Sequence, residues 1–153
     1  MGTGKNEETM KKAKVLLSKL YSRTPVATKT RKRIANWGVR PGLEVGCMVT
    51  IRKNTTELLK RLLAAGGNTL AEKKFDNEGN FSFGVPEYID VPGLSYDPAL
   101  KIMGFNVAVS LRRPGYRLQY RKIKKGTVGK RQRISKEEAI IFMQQTFQTE
   151  VER

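Results

Sequence analysis

Two stretches in which apolar residues alternate with small or polar ones limit what this chain can fold into more than any other feature. In FSFGV, Phe81, Phe83 and Val85 share one face, with Ser82 and Gly84 on the other. In FNVAVSL, Phe105, Val107, Val109 and Leu111 stand against Asn106, Ala108 and Ser110. Successive side chains of a strand point to opposite faces, so this period of two predicts strands of a sheet with one covered face. A connection bearing Pro, Gly and Asp joins them. The second strand then runs directly into Arg112, Arg113 and Arg117 and a long cationic tract. The best-patterned part of the sequence is thus joined, without a linker, to its most highly charged part.

That charge narrows the partner. Thirty Lys and Arg face 14 Asp and Glu, a formal net charge of +16 on 153 residues. Like charges at this density repel one another and weaken the compact state unless a polyanion neutralises them. Nucleic acid is the natural polyanion. A membrane surface is the rival, but no run approaches the length of apolar sequence a span needs, and no secretory signal is visible. The single Cys47 excludes an internal disulfide framework and a multi-cysteine metal site, and within VGCMVTI it reads as a small buried hydrophobe. A cytoplasmic protein is the expectation.

Catalysis finds no support in the residue types. There is no histidine, and no serine or cysteine stands in a nucleophile context. Glu72, Asp76, Glu78, Glu87, Asp90 and Asp97 gather most of the negative charge, without the spacing of a calcium loop. Asp76-Asn77-Glu78-Gly79-Asn80 reads as turn chemistry ahead of a strand. We expect no cofactor and no metal.

The amino-terminal part alternates helix, cations and strand. A helix is predicted from Asn6 or Glu7 to Ser22, with Met10, Ala13, Leu17, Leu20 and Tyr21 on one side and Leu16 at its margin. Lys11, Lys12 and Lys14 cover much of the rest as a solvated face. From Thr9 through Leu43 there are ten basic residues and no acidic one. Arg31, Lys32 and Arg33 are adjacent, so neither helix nor strand puts all three on one face, and a projecting loop suits them better. Such a loop can fan cations around a phosphate backbone, with Asn36 offering donors and an acceptor. Trp37 either stacks on a base or anchors the loop against the core. Leu43 to Arg52 reads as a strand with Val45, Cys47, Val49 and Ile51 on one face. Asn54 and Glu57 suggest a capping box for TTELLKRLLAA, whose Leu58, Leu59, Leu62 and Leu63 form the buried stripe while Lys60 and Arg61 face out. Gly66-Gly67 ends that helix.

The second cationic tract follows the last strand. From Pro98 through Lys136 there are twelve basic residues and no acidic one. Pro114-Gly115 breaks the strand, and Gly126 and Gly129 keep the next segment open. Tyr116 and Tyr120 are interleaved with Arg113, Arg117 and Arg121, an arrangement able to pair with phosphates and stack on unpaired bases. The candidate RNA-binding residues are Arg112, Arg113, Tyr116, Arg117, Tyr120, Arg121, Lys122, Lys124, Lys125, Lys130, Arg131 and Arg133. Alanine at Arg113 and Arg117 is expected to weaken RNA capture and spare the fold. Ser135 and Glu138 predict a capping box for a closing helix that buries Ala139, Ile140, Met143 and Phe147, with Ile141 and Phe142 widening the stripe.

TKTRKRIANWGVRPGLEVGCMVTIR, FDNEGNFSFGVPEYIDVPGLSYDPALKIMGFNVAVSLRRPGYR and ISKEEAIIFM, in this order, resemble the universal large-subunit ribosomal protein five family, which binds 5S ribosomal RNA. RPGYR and the basic tract before SKEEA are similar to its archaeal and eukaryotic branch. The resemblance implies an α+β two-layer sandwich, a mixed or antiparallel sheet covered by helices on one side, with a basic projecting loop. It implies one domain over 1–153, with 112–134 a basic extension within it. It also implies a structural, non-enzymatic role in the central protuberance of the large subunit, with 5S rRNA, large-subunit rRNA and neighbouring 5S-associated proteins as partners. On the same ground the loop from Thr28 to Arg40 faces peptidyl-site tRNA through Arg31, Lys32, Arg33, Asn36 and Arg40. Another surface meets a small-subunit head protein across the subunit interface. The family usually opens with a further strand, of which Met1-Gly2-Thr3-Gly4 resembles the end and its turn. Either the start lies further upstream or a partner covers that edge. The alternative to all of this is a DNA-compacting architectural protein, for which no recognition helix or dimer pattern is visible.

Overall fold

The computed structural model describes residues 1–4, 6–21 and 23–152. It is an α+β structure of four helices and six short strands among those residues, arranged as α1 (Glu7–Leu20), β1 (Val26–Lys29), β2 (Glu44–Met48), α2 (Thr55–Ala65), β3 (Thr69–Ala71), β4 (Phe81–Val85), β5 (Phe105–Val109), α3 (Arg117–Tyr120), α4 (Lys136–Phe147) and β6 (Glu150–Glu152). The strands form three two-stranded ladders, β1 with β2, β3 with β6 and β4 with β5. The chain divides into two compact units, one of Met1–Leu62 with Val85–Phe105, the other of Leu63–Gly84 with Asn106–Arg153.

In the first unit α1 packs on β2. Asn6 caps the helix, its side-chain oxygen accepting from the amides of Glu8 and Thr9, and Glu7 and Glu8 sit at the positive end of the dipole. Met10, Ala13, Leu16, Leu17 and Leu20 are buried. Leu16 is therefore central, not marginal, and shortening it to Ala costs roughly 2–5 kcal/mol. The helix ends at Leu20, and the expected end at Ser22 lies outside the described residues. Tyr21 turns off its axis and donates its hydroxyl to the Lys53 carbonyl.

The β1–β2 ladder is antiparallel, pairing Val26 with Met48, Ala27 with Cys47 and Thr28 with Gly46. β2 is shorter than the period of two suggested, because its pairing stops at Met48 while Val49 and Ile51 continue the half-buried face. Along its other edge run Met1 to Thr3: the Thr3 amide donates to the Val45 carbonyl at 2.9 Å and the Cys47 amide to the Met1 carbonyl at 3.0 Å. Gly46 lies between. A Cβ there would come within 2.6 Å of the Met1 oxygen and 2.9 Å of Thr28 Oγ1, so only glycine lets both neighbours approach. Burial pushes the Cys47 thiol pKa up, as an inert core cysteine requires.

α2 does not begin with the expected capping box. Asn54 is in the left-handed region at φ 50°, away from the extended geometry of a capping residue. Leu58, Leu62 and Leu63 are buried with Leu59 beside them, but Arg61 folds back to donate from Nε to the Pro92 carbonyl at 2.8 Å. Gly67 and Asn68, both left-handed, end the helix, with the Asn68 amide returning to the Leu63 carbonyl. Tyr88, Val91 and Leu100 complete the core of the first unit, and Tyr88 Oη accepts from the Asp97 amide at 2.9 Å.

In the second unit Phe75, Phe81 and Phe83 form a run of ring contacts at 5.0 and 6.4 Å. The burial of β4 alternates as its sequence does, with Phe81, Phe83 and Val85 inside. β5 keeps its phase, although only Phe105 is fully buried and the strand stops before Leu111. Before β4, Asp76 builds the expected turn, Oδ1 accepting from the Glu78 and Asn80 amides and Oδ2 from Asn80 Nδ2. α4 carries the predicted capping box of Ser135 and Glu138. It buries Ala139 and Met143 but leaves Ile141 and Phe142 exposed at 51% and 45%, so these two do not widen its buried stripe. β6 then pairs with β3 in parallel register, Leu70 opposite Val151. No helix among the described residues is long and apolar enough to cross a membrane.

Candidate nucleic-acid interface

The first candidate surface is the hairpin from Thr30 to Leu43 in the first unit. Its base is held by reciprocal backbone bonds, the Thr30 amide to the Leu43 carbonyl and the Gly42 amide to the Thr30 carbonyl, each 2.9 Å. Thr30 Oγ1 adds a bond to the Arg40 carbonyl. Nearer the tip, Ile34 and Val39 exchange both backbone bonds at 3.0 Å, and the Gly38 amide closes the turn on the Ala35 carbonyl at 2.8 Å. Gly38 sits at φ 58° and Gly42 at φ 85°, which is why glycine follows Trp37 and Pro41. The projecting loop is thus a braced hairpin with a four-residue tip, from Ala35 to Gly38.

Arg31, Lys32, Arg33, Asn36 and Arg40 are all exposed, and none of these four cations has a carboxylate partner among the described residues. Trp37 is 71% exposed, so it does not anchor the hairpin against the core.

The second surface lies in the second unit, between β5 and α4. Gly115 at φ 104° turns the chain into α3, and Lys124 at φ 52° turns it out again. The segment is not open as its glycines suggested. Arg113 donates to the Arg131 carbonyl at 3.2 Å and to Glu138 Oε1 at 2.9 Å. Gln132 Nε2 donates to the Pro114 carbonyl, Tyr116 Oη to the Gln132 carbonyl, and the Gly126 amide to the Leu118 carbonyl. These polar cross-braces hold the two arms of the tract together.

The candidate residues therefore separate. Arg113 and the Tyr116 hydroxyl work inside the protein. The Arg112 guanidinium lies 4.8 Å from the Tyr120 ring centroid and 5.9 Å from that of Tyr116, a shared cation–π contact. Arg121 donates from Nε to the Lys124 carbonyl, which ties it to the turn that follows α3. Arg117, Lys122, Lys124, Lys125, Lys130, Arg131 and Arg133 are exposed with no carboxylate partner among the described residues. Sequence reasoning passed over Leu118 and Ile123, exposed at 41% and 79% within this tract. Their signal is apolar residues among cations without any period to bury them.

Both surfaces offer dense positive charge and flat or apolar side chains, and neither brings together groups for bond-making chemistry. Among the described residues no cluster of His, Cys, Asp or Glu could hold a metal ion.

Comparison with known proteins agrees with this reading. A model of the C-terminus of the ribosomal protein uL5 family matches residues 44–144, more than half of the chain. Large ribosomal subunit protein uL5 of Sulfolobus acidocaldarius is 44% identical over 148 residues, 96% of this chain and 83% of that protein. Its namesake in Caldivirga maquilingensis is 48% identical over 145 residues, 94% of this chain and 73% of that one. The Nanoarchaeum equitans protein is 42% identical over 147 residues, covering 95% and 86%. With a family model over most of the chain and relatives of this identity along nearly all of it, the chain belongs to the uL5 ribosomal protein family, in its archaeal-type branch.

Proposed function

We propose that this chain is a structural, non-catalytic constituent of the large ribosomal subunit, binding 5S rRNA and large-subunit rRNA in the central protuberance. The observation that carries this, beside family membership, is the lack of internal neutralisation. Apart from Arg113, none of the cations named on the hairpin or the tract is paired with a carboxylate of the described residues. A folded protein that leaves so many cations unpaired is suited to a dense row of phosphates. We read residues 1–153 as one RNA-binding domain, with 112–134 its basic extension, resident in cytoplasmic ribosomes. The tract serves assembly-scale rRNA binding. The hairpin meets peptidyl-site tRNA, and other exposed faces meet a small-subunit head protein and neighbouring 5S-associated proteins.

A titration of 5S rRNA binding across salt tests the core of this reading. Affinity should fall steeply, by about one power of salt concentration for each phosphate neutralised, and duplex DNA should compete poorly at every salt. Flat salt dependence, or equal preference for duplex DNA, would return the chain to the DNA-compacting alternative. Arg31→Ala with Arg33→Ala separates the hairpin's role. Large subunits carrying the pair should retain 5S rRNA and lose peptidyl-site tRNA. The reverse outcome would make the hairpin a permanent rRNA grip.

A further inference from the structure

The hairpin tip holds a side chain that phosphate binding alone does not explain. Tryptophan carries the largest apolar surface of any residue and is highly buried on average. Trp37 is the chain's only tryptophan, yet it is 71% exposed. Among the described residues its ring takes part in no aromatic or cation–π contact, and its indole N–H makes no hydrogen bond. The ring is open to a partner.

The backbone beneath it is not loose. Trp37 is the third residue of the Ala35–Gly38 turn, closed by the Gly38-to-Ala35 bond and clamped below by the double Ile34–Val39 pairing. The indole is therefore held out from a preformed turn, and ordering the backbone costs little at the moment of binding. Its neighbours decide what it meets. Arg31, Lys32, Arg33 and Arg40 are exposed and have no carboxylate partner among the described residues, and no acidic residue occurs between Thr9 and Leu43. An apolar protein surface would have to desolvate these cations without compensation. A polyanion that also offers flat apolar faces satisfies both features at once. RNA with unpaired nucleotides is that ligand, since every base presents a π-face and the flanking phosphates lie within reach of Arg and Lys.

We propose that Trp37 is a stacking finger that takes an unpaired base of a structured RNA, while Arg31, Lys32, Arg33 and Arg40 hold the phosphates on either side. This rests on the reading of the hairpin as an RNA-contacting element and adds what that reading lacks, a requirement for unpaired bases. A fully paired duplex offers the same phosphates but only its terminal base faces.

Because the protein has one tryptophan, its fluorescence reports the hairpin tip alone, even while the carboxy-terminal tract also binds RNA. The full chain is titrated with a short RNA hairpin having an unpaired purine loop, and with the same stem as a blunt duplex. Saturable quenching by the looped RNA and little by the duplex is expected. Trp37→Ala should weaken binding of the looped RNA roughly five- to a hundredfold, the usual range for losing one base–aromatic stack. It should leave duplex binding unchanged, and Trp37→Phe should retain most of the affinity. The ring stands largely clear of the fold, so circular dichroism should show all variants folded. Equal quenching by duplex and looped RNA, or unchanged affinity in Trp37→Ala, would overturn the stacking finger. If Arg31→Ala with Arg33→Ala still weakens binding in that second case, the hairpin remains a phosphate contact without base stacking. If the double substitution has no effect and no RNA quenches Trp37, the RNA reading of the hairpin fails with it. Quenching by an acidic peptide in place of RNA would assign the tip to a protein partner and overturn the proposal as well.

Discussion

Arg113 shows how a single residue can look like a ligand contact and act as a brace. Read in sequence it is one cation among many, and its removal together with Arg117 is expected to spare the fold. In the structure its guanidinium joins the Arg131 carbonyl to Glu138, while Glu138 also completes the cap of α4. Both side chains are nearly half exposed, at 46% and 48%, so the ion pair itself is worth about 0–1 kcal/mol. We expect Arg113→Ala to cost little global stability but to speed hydrogen exchange in the tract, where Gln132 and Arg133 lose their tether. Glu138→Ala removes the cap as well and should cost about 1 kcal/mol more in urea unfolding. Equal costs would mean that the pair, not the cap, holds α4. Arg117 has no such internal role, and the single variant Arg117→Ala is the cleaner probe of RNA capture. Asp76 gives a second residue-level test. The Asn80 side chain, and then the Asn80 and Glu78 amides, hold its carboxyl pKa below the ordinary aspartate value. A depressed folded value means the contribution is complete at neutral pH, declines as pH falls through the ordinary range, and is gone below the folded value. Asp76→Asn should therefore destabilise at neutral pH and converge with the parent in acid. A penalty of the same size at every pH would assign the effect to turn geometry, not charge.

At the scale of elements, what was legible followed from periodicity. Phe81, Phe83 and Val85 alternate whatever surrounds them, and the Ser135–Glu138 box specifies its own helix start, so both survive in the structure. The hairpin was legible because three adjacent cations fit no regular face. β3 and β6 were not, because TLA and EVE are too short to carry a period and find each other only through the fold. Asn54 misled because a residue able to cap a helix can also take the left-handed turn before it. The braces within the tract stayed hidden because a glutamine amide meeting a distant carbonyl leaves no pattern in sequence. Gly46 is the sharpest test of the arrangement at β2. Alanine there would place a Cβ against Met1 on one side and Thr28 on the other. We expect Gly46→Ala to cost roughly 1–3 kcal/mol, the range of overpacked sites. Restoration by removing the first three residues would show that the strain lies on the Met1 side. A neutral Gly46→Ala would mean that Met1 to Thr3 are not seated on β2.

For the molecule as a whole, the charge that suits RNA works against the free protein. A net +16 means that the folded state carries self-repulsion which salt relieves and which bound RNA relieves more completely. Two salt dependences of opposite sign follow. Without RNA, thermal stability should rise as ionic strength increases, because screening acts over the roughly 8–10 Å Debye length of physiological buffers. For a chain of this size each 1 kcal/mol so recovered moves Tm by about 2–4 °C. With 5S rRNA in excess, mass action adds about 2.7 kcal/mol when free RNA is a hundred times Kd. That gain shrinks as salt releases the RNA. Thermal unfolding followed with and without 5S rRNA should thus give two curves, one rising and one falling, which converge at high salt. A free-protein Tm indifferent to salt would show that the cations are spaced widely enough not to strain the fold. Their unpaired display would then carry no stability cost for RNA to offset.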